Sequence, residues 1–317
     1  MVNLIRNEWM KVFRRTGTYV MIGIVLLIIA VSSGFIKYQD VSAIPNQEEG
    51  NWKQVLQQEN QALQRQLESS RVKMEQDYYK QQIAINEYRL EHDIPFREKY
   101  NVWTFVKESS ELILLAGVFT IIISSGIVAS EFNWGTIKLL LIRPINRTKI
   151  LLSKYIMVLL FAIFMLVVLF GFSALVGAIL FGAPASPLPY LNYVDGKVVE
   201  QNIVVHLFIH YGLSSVEMIM LATMAFMISS VFRSGSIAIG LSLFLMFTGS
   251  TFTAIISLRY DWAKYSLFAN TNLMQYVEGA PLVEGMTMSF SLIMLFIYFS
   301  IFQLLAFLVF KKRDVAA

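Results

Sequence analysis

The sequence predicts an all-α polytopic membrane protein with six transmembrane helices, an amphipathic amino-terminal interfacial helix and an extracytoplasmic helical hairpin. Three observations predict it. Six apolar runs are long enough to cross a bilayer, basic residues crowd alternate connections, and one charged island separates the first run from the second.

Roughly 20 apolar residues of helix span a hydrocarbon core of about 30 Å. The chain has 317 residues, 56% of them hydrophobic, and runs at 18–36, 112–129, 155–182, 212–232, 237–258 and 289–310 reach that length. Glu217 interrupts the fourth. Arg14 and Arg15 before the first run and Ser32, Ser33 and Gly34 at its end resemble a secretory signal. The run is longer than the roughly 7–15 residues of a signal core, so it reads as a retained helix. The absence of cysteine excludes disulfides, zinc thiolates and thiol catalysis.

Taken in order, residues 1–16 read as an interfacial amphipathic helix. Leu4, Ile5, Trp9, Val12 and Phe13 share one face at helical spacing, and Arg6, Asn7, Lys11 and Arg14 fall elsewhere. Trp9, Arg14 and Arg15 are its anchors, and Thr16 and Gly17 supply the bend. The alternative is a straight extension of the first span at 18–36.

Residues 37–111 hold 10 Lys/Arg and 13 Asp/Glu in 75 residues and form an extracytoplasmic charged domain. Between Gly50 and Pro95 there is neither Gly nor Pro, so helix is expected. Trp52, Leu56, Leu63 and Leu67 make one seam; Met74, Tyr78, Gln81, Ile85 and Tyr88 make a second at alternating spacings of four and three. The pair predicts a hairpin turning near Ser69 and Ser70, either recognising a ligand or partner or serving as a packed spacer.

Residues 112–310 form a five-helix transmembrane region with a connecting segment at 130–149, followed by a tail at 311–317. Trp103 and Phe105 read as an interface anchor, and the three prolines of 183–210 start that loop extended. Trp262, Tyr265 and Tyr276 give 259–288 an interfacial signature. Gly235, Gly240 and Gly249 make the fifth span a candidate seam between two copies.

Orientation follows from Lys and Arg in short flanking segments. One side carries thirteen of them, at the amino terminus, 138–154, Arg233 and 311–313; the other has only Lys197, Arg259 and Lys264 in its short segments. Both termini are therefore expected in the cytoplasm. Just three acids, Glu8, Glu131 and Asp314, share the basic side. Spread over four segments at a membrane face, this charge suits anionic lipid and an acidic partner rather than nucleic acid.

No G-x-x-x-x-G-K-[ST] phosphate loop and no G-x-S-x-G motif occurs, so neither nucleotide hydrolysis by that loop nor serine-nucleophile chemistry is expected. His206 and His210, four apart, with Glu217 seven further on, sketch a metal arrangement that no H-E-x-x-H or added carboxylate completes; no metal is expected. Glu217 is instead a candidate lining residue of a translocation route, because an intramembrane carboxylate faces a bundle interior or a wet cavity. About a turn and a half from the outer end of its run, it could equally reach the interface.

In 130–149, Trp134 and the apolar segment 137–142 can lie along the membrane or enter a groove on a partner, and Pro144 stops the segment. Arg143, Arg147, Lys149 and Lys154 can pair with lipid phosphate or with a partner's acids.

The stretches NLIRNEWMKVFRRTGTY at the amino terminus and ASEFNWGTIKLLLIRPINRTKILLSKY at 129–155 resemble those of membrane-spanning permease subunits of type-2 ABC exporters. The resemblance in layout covers nearly the whole chain. It implies a coupling helix between the second and third spans, a second permease, identical or homologous, and two copies of a separate ABC ATPase subunit. It also implies that Glu131, Phe132, Trp134, Ile137, Lys138, Leu141 and Arg143 couple to that ATPase. No cofactor is then expected in this chain, ATP and Mg belonging to the partner, and the chain itself is not an enzyme. The expected place is the bacterial cell membrane, multi-pass. The charged insert at 37–111 departs from the smallest such subunits, and the resemblance names no cargo. The alternative from another class is a membrane-embedded sensor or assembly protein whose outer helical domain binds a partner. A secondary transporter is disfavoured because only one acid and no base interrupts the spans.

Overall fold

A computed structural model describes residues 1–42, 52–70, 73–95, 100–136, 145–184, 187–194, 196–278, 281–283 and 285–312. It is an almost wholly helical, multi-pass membrane protein with six helices long and apolar enough to cross a bilayer. A short helix α1 (Val2–Phe13) turns at Arg14 and Arg15 into α2 (Thr16–Ser42), and the Thr18 hydroxyl closes the corner by donating to the Val12 carbonyl at 2.6 Å. The charged island forms α3 (Trp52–Ser69) and α4 (Lys73–Glu91). Then come α5 (Val102–Ser109), a 3-10 turn (Ser110–Leu112) and α6 (Ile113–Asn133). The remaining spans are α7 (Arg147–Leu180), α8 (Ile203–Phe232), α9 (Gly235–Ser257) and, after two short helices α10 (Leu267–Asn270) and α11 (Met274–Val277), α12 (Met288–Lys312).

The helices α6 and α8 form the centre of the bundle, and small residues let them approach closely. The Ser124 hydroxyl donates to the Ala222 carbonyl and the Ser229 hydroxyl to the Ser125 carbonyl, each at 2.6 Å. Between apolar helices, small side chains and interhelical hydrogen bonds replace the hydrophobic drive that lipid removes. By contrast α2, α9 and α12 keep most of their surface outside the bundle.

The glycines of α9 do not make the free seam expected of them. A Cβ at Gly249 would meet the Phe268 ring at 2.5 Å, and Gly235 lies against Ala129; only Gly240 opens onto empty space. Residues 267–275 are likewise no surface segment. Asn270 is fully buried, donates to the Lys264 and Ser266 carbonyls at 2.8 and 2.7 Å, and accepts from the Ser291 hydroxyl at 2.7 Å. Trp262 and Tyr265 remain exposed, as an interface anchor requires, while Tyr276 turns inward to Ser291.

At the end of the bundle opposite α1, α3 and α4 pack as an antiparallel pair, tied by Asn86 to Asn60 at 2.9 Å. Leu56 is buried in the first seam, but in the second Asn86 occupies the buried position and Tyr78 is exposed. The amide pair fixes the helices' rotation, and the apolar spacing alone did not show it. The loop after α7 contains a hairpin of β1 (Tyr190–Val194) and β2 (Lys197–Gln201), paired from Tyr190 with Gln201 to Val194 with Lys197.

Candidate functional site at the foot of the second span

The connection from α6 to α7 leaves the bundle beside α1. Helix α6 stops because Gly135, at φ +68°, turns the chain back in the left-handed conformation that favours glycine at a helix end. This turn brings Thr136 under the helix, where its hydroxyl donates to the Glu131 carboxylate.

Glu131 is buried, and its partners come from two other helices. Lys154 of α7 donates to Glu131 at 2.9 Å and to Glu8 of α1 at 2.8 Å. Lys11 of α1 donates to Glu8 at 2.9 Å and to Glu131 at 2.8 Å. The four side chains form a closed square in which every charge touches two of opposite sign. Lys154 is only 1% exposed, and the two acids compensate its charge there, since an unpaired buried ion carries a penalty of several kcal/mol. Burial lowers the pKa of Lys11, but its hydrogen bond to Glu131 and the charge of Glu8 outweigh that and hold the ammonium above its ordinary value.

Around the square, Trp9 stacks on Phe13 at 4.4 Å, and both meet Phe164 of α7 edge-on. The apolar face of α1 therefore packs on a neighbouring helix. Arg14 is exposed. Arg15 reaches Ser130 and lies 5.3 Å from the Trp134 ring, which stays 68% exposed. Arg233, which caps the end of α8, covers the Phe132 ring at 4.6 Å. The sequence-expected residues Ile137, Lys138, Leu141 and Arg143 lie outside the described residues.

Lys154 corrects the expectation that it pairs with lipid or a partner: Glu8 and Glu131 already occupy it. Glu8, Lys11 and Thr136 were missed as site residues. The legible hint was Glu8 and Lys11 at i and i+3, together with a lysine set between Ser153 and Tyr155 in an apolar helix.

Glu217 sits in α8, which begins at Ile203 rather than Gly212, so it stands deeper in its helix than the apolar run suggested. It lines a cleft of about 190 Å³ with Glu111, Gly117, Met218, Leu221 and Met246. His206 is buried and stacks on Tyr190 at 3.5 Å, with the His210 ring 6.3 Å away. His206 thus ties β1 to α8, and no group of three metal-ligating side chains occurs among the described residues.

Residues 73–316 match the family described as Protein of unknown function (DUF2705). The chain is 51% identical over 319 residues to the uncharacterized protein YhcI of Bacillus subtilis (strain 168), covering 100% of both. To the uncharacterized membrane protein YdbK of the same organism it is 30% identical over 213 residues, 67% of this chain and 82% of that one.

Proposed function

The chain belongs to the DUF2705 family, and on that premise we propose that it is the membrane-spanning permease subunit of an ATP-driven exporter in the bacterial cell membrane. Both termini and the α6–α7 connection face the cytoplasm, and the α3–α4 pair lies outside. ATP and Mg are handled by two copies of a separate ATPase subunit, and two permeases enclose the route.

One observation carries this reading: a square of alternating charges, three of its four side chains buried, lies behind an exposed tryptophan at the root of the α6–α7 connection. Such a lock suits a part that receives force. With α1, α6 and α7 fastened at one point, a push on Trp134 and the segment after it moves three helices as a rigid body, the kind of motion by which packed assemblies switch. Glu131 then acts as a positioning residue: its carboxylate is engaged inside the chain, and the partner's contact falls to Trp134 and the residues that follow.

The test is co-purification. The tagged chain, isolated from its native membrane, is expected to bring down a nucleotide-hydrolysing subunit, and Trp134→Ala to lose it while still inserting and folding. Isolation in a stable complex free of any ATPase would favour the sensor or assembly reading, as would ATP-independent capture through the α3–α4 pair. ATP-driven solute movement by the chain alone in liposomes would overturn the proposal.

A further inference from the structure

We infer that the cleft where α6, α8 and α9 meet, at the end of the bundle bearing the α3–α4 pair, binds a protonated amine carried on an apolar body. The Glu217 and Glu111 carboxylates take the charge, and Met218, Leu221 and Met246 take the body. The inference builds on the permease reading by giving its cargo a chemical class.

Both carboxylates open on the same space, no lysine or arginine lines it, and neither acid forms an ion pair among the described residues. An acid at this depth needs a counter-charge or a wet cavity. The described residues supply no cation here, so a ligand that brings one completes the balance. The fully buried Thr271 hydroxyl meets the Glu217 carboxyl and orients it, but it is neutral and leaves the acid without a counter-charge.

The walls decide what accompanies the charge. Leu114, Ile113 and Leu221 line the cleft with the two methionines, whose flexible thioethers adapt to irregular apolar shapes. Gly117 keeps the space open: a Cβ there would come within 3.2 Å of the Met246 methyl and 3.7 Å of Met218. A bare inorganic cation would leave these walls unused. A primary ammonium on an aliphatic or aromatic body uses every part, whether it arrives as a free solute or as the headgroup of an amino-phospholipid.

The experiment places the full chain, labelled at its methionine methyls, in nanodiscs of phosphatidylglycerol and titrates phenethylammonium at pH 7 by NMR. Saturable shifts of the Met218 and Met246 signals are expected, with none from 2-phenylethanol, the uncharged analogue of like size. Glu217→Gln is expected to weaken binding at least tenfold, and Gly117→Val to remove it. Equal shifts from the alcohol, or unchanged affinity in both Glu217→Gln and Glu111→Gln, would overturn the inference. Phosphatidylethanolamine added to the nanodiscs separates the sources: competition assigns the ammonium to lipid, and no competition assigns it to a solute. No ATPase is needed, so binding here and failed co-purification would overturn the permease reading alone.

Discussion

Replacing Lys154 with methionine tests the charge square most directly. The substitution keeps much of the side-chain volume and removes the one cation that touches both Glu8 and Glu131 from within the bundle. Two buried carboxylates would then share Lys11, whose side chain is 36% exposed and shields them poorly. Breaking a buried ion pair from one side costs about 3–5 kcal/mol, because a charge is left uncompensated. Removing both acids with the lysine, as Glu8→Gln, Glu131→Gln and Lys154→Met together, leaves only Lys11, which can turn to water. The triple variant is therefore expected to recover most of the loss, as apolar replacements of buried ion clusters often do. The assay is reversible denaturation in mixed micelles, followed by the intrinsic fluorescence of the five tryptophans. If the single and triple variants lie within about 0.5 kcal/mol of each other, about the scatter of independent surface changes, the square does not hold these helices together.

Four further outcomes follow from other contacts. Trp134→Ala is expected to leave stability within about 0.5 kcal/mol of wild type, since the ring is largely exposed; a larger loss in the same titration would make it a structural residue. Gly249→Ala forces a Cβ into the Phe268 ring and is expected to cost about 1–3 kcal/mol, with Phe268→Ala in the same chain relieving it; thermal melts of the single and double variants decide. Asn270→Leu removes the side-chain donor to the Lys264 and Ser266 carbonyls, at about 1–3 kcal/mol for each carbonyl left buried and unpaired, while the Ser291 hydroxyl keeps Tyr276; denaturant titration would register the loss. Lys11 has a folded-state pKa above the ordinary value of 10.5. Its contribution is therefore full below 10.5 and lost as pH rises through the folded value. The stability gap between wild type and Lys11→Met should hold constant from pH 7 to 10 and close only at higher pH; a gap that closes near neutrality would contradict the pairing.

What the residues determined alone is the number and type of the long helices. In a bilayer every span must satisfy its own backbone, so the length of an apolar run reports a helix almost without regard to its neighbours. The charged, glycine-free stretch reads as paired helices for a similarly local reason. The β-hairpin was also legible, in the Asp195-Gly196 dipeptide between YLNYV and KVVEQ, but the prolines before it drew the reading to an extended loop.

Only the tertiary structure decided which side chains meet. Lys154 lies 146 residues from Glu8 and 23 from Glu131, and Lys11 lies 120 from Glu131. Spans that are apolar all round carry no stripe to fix their rotation, so the facing of α6, α7 and α8 comes from close packing of small residues. That packing turned a lysine expected at the membrane surface into a buried partner of two acids. It also laid Phe268 over Gly249, closing a face that composition had left open. Local chemistry set the helices; their rotation about one another, a property of all of them at once, set the site.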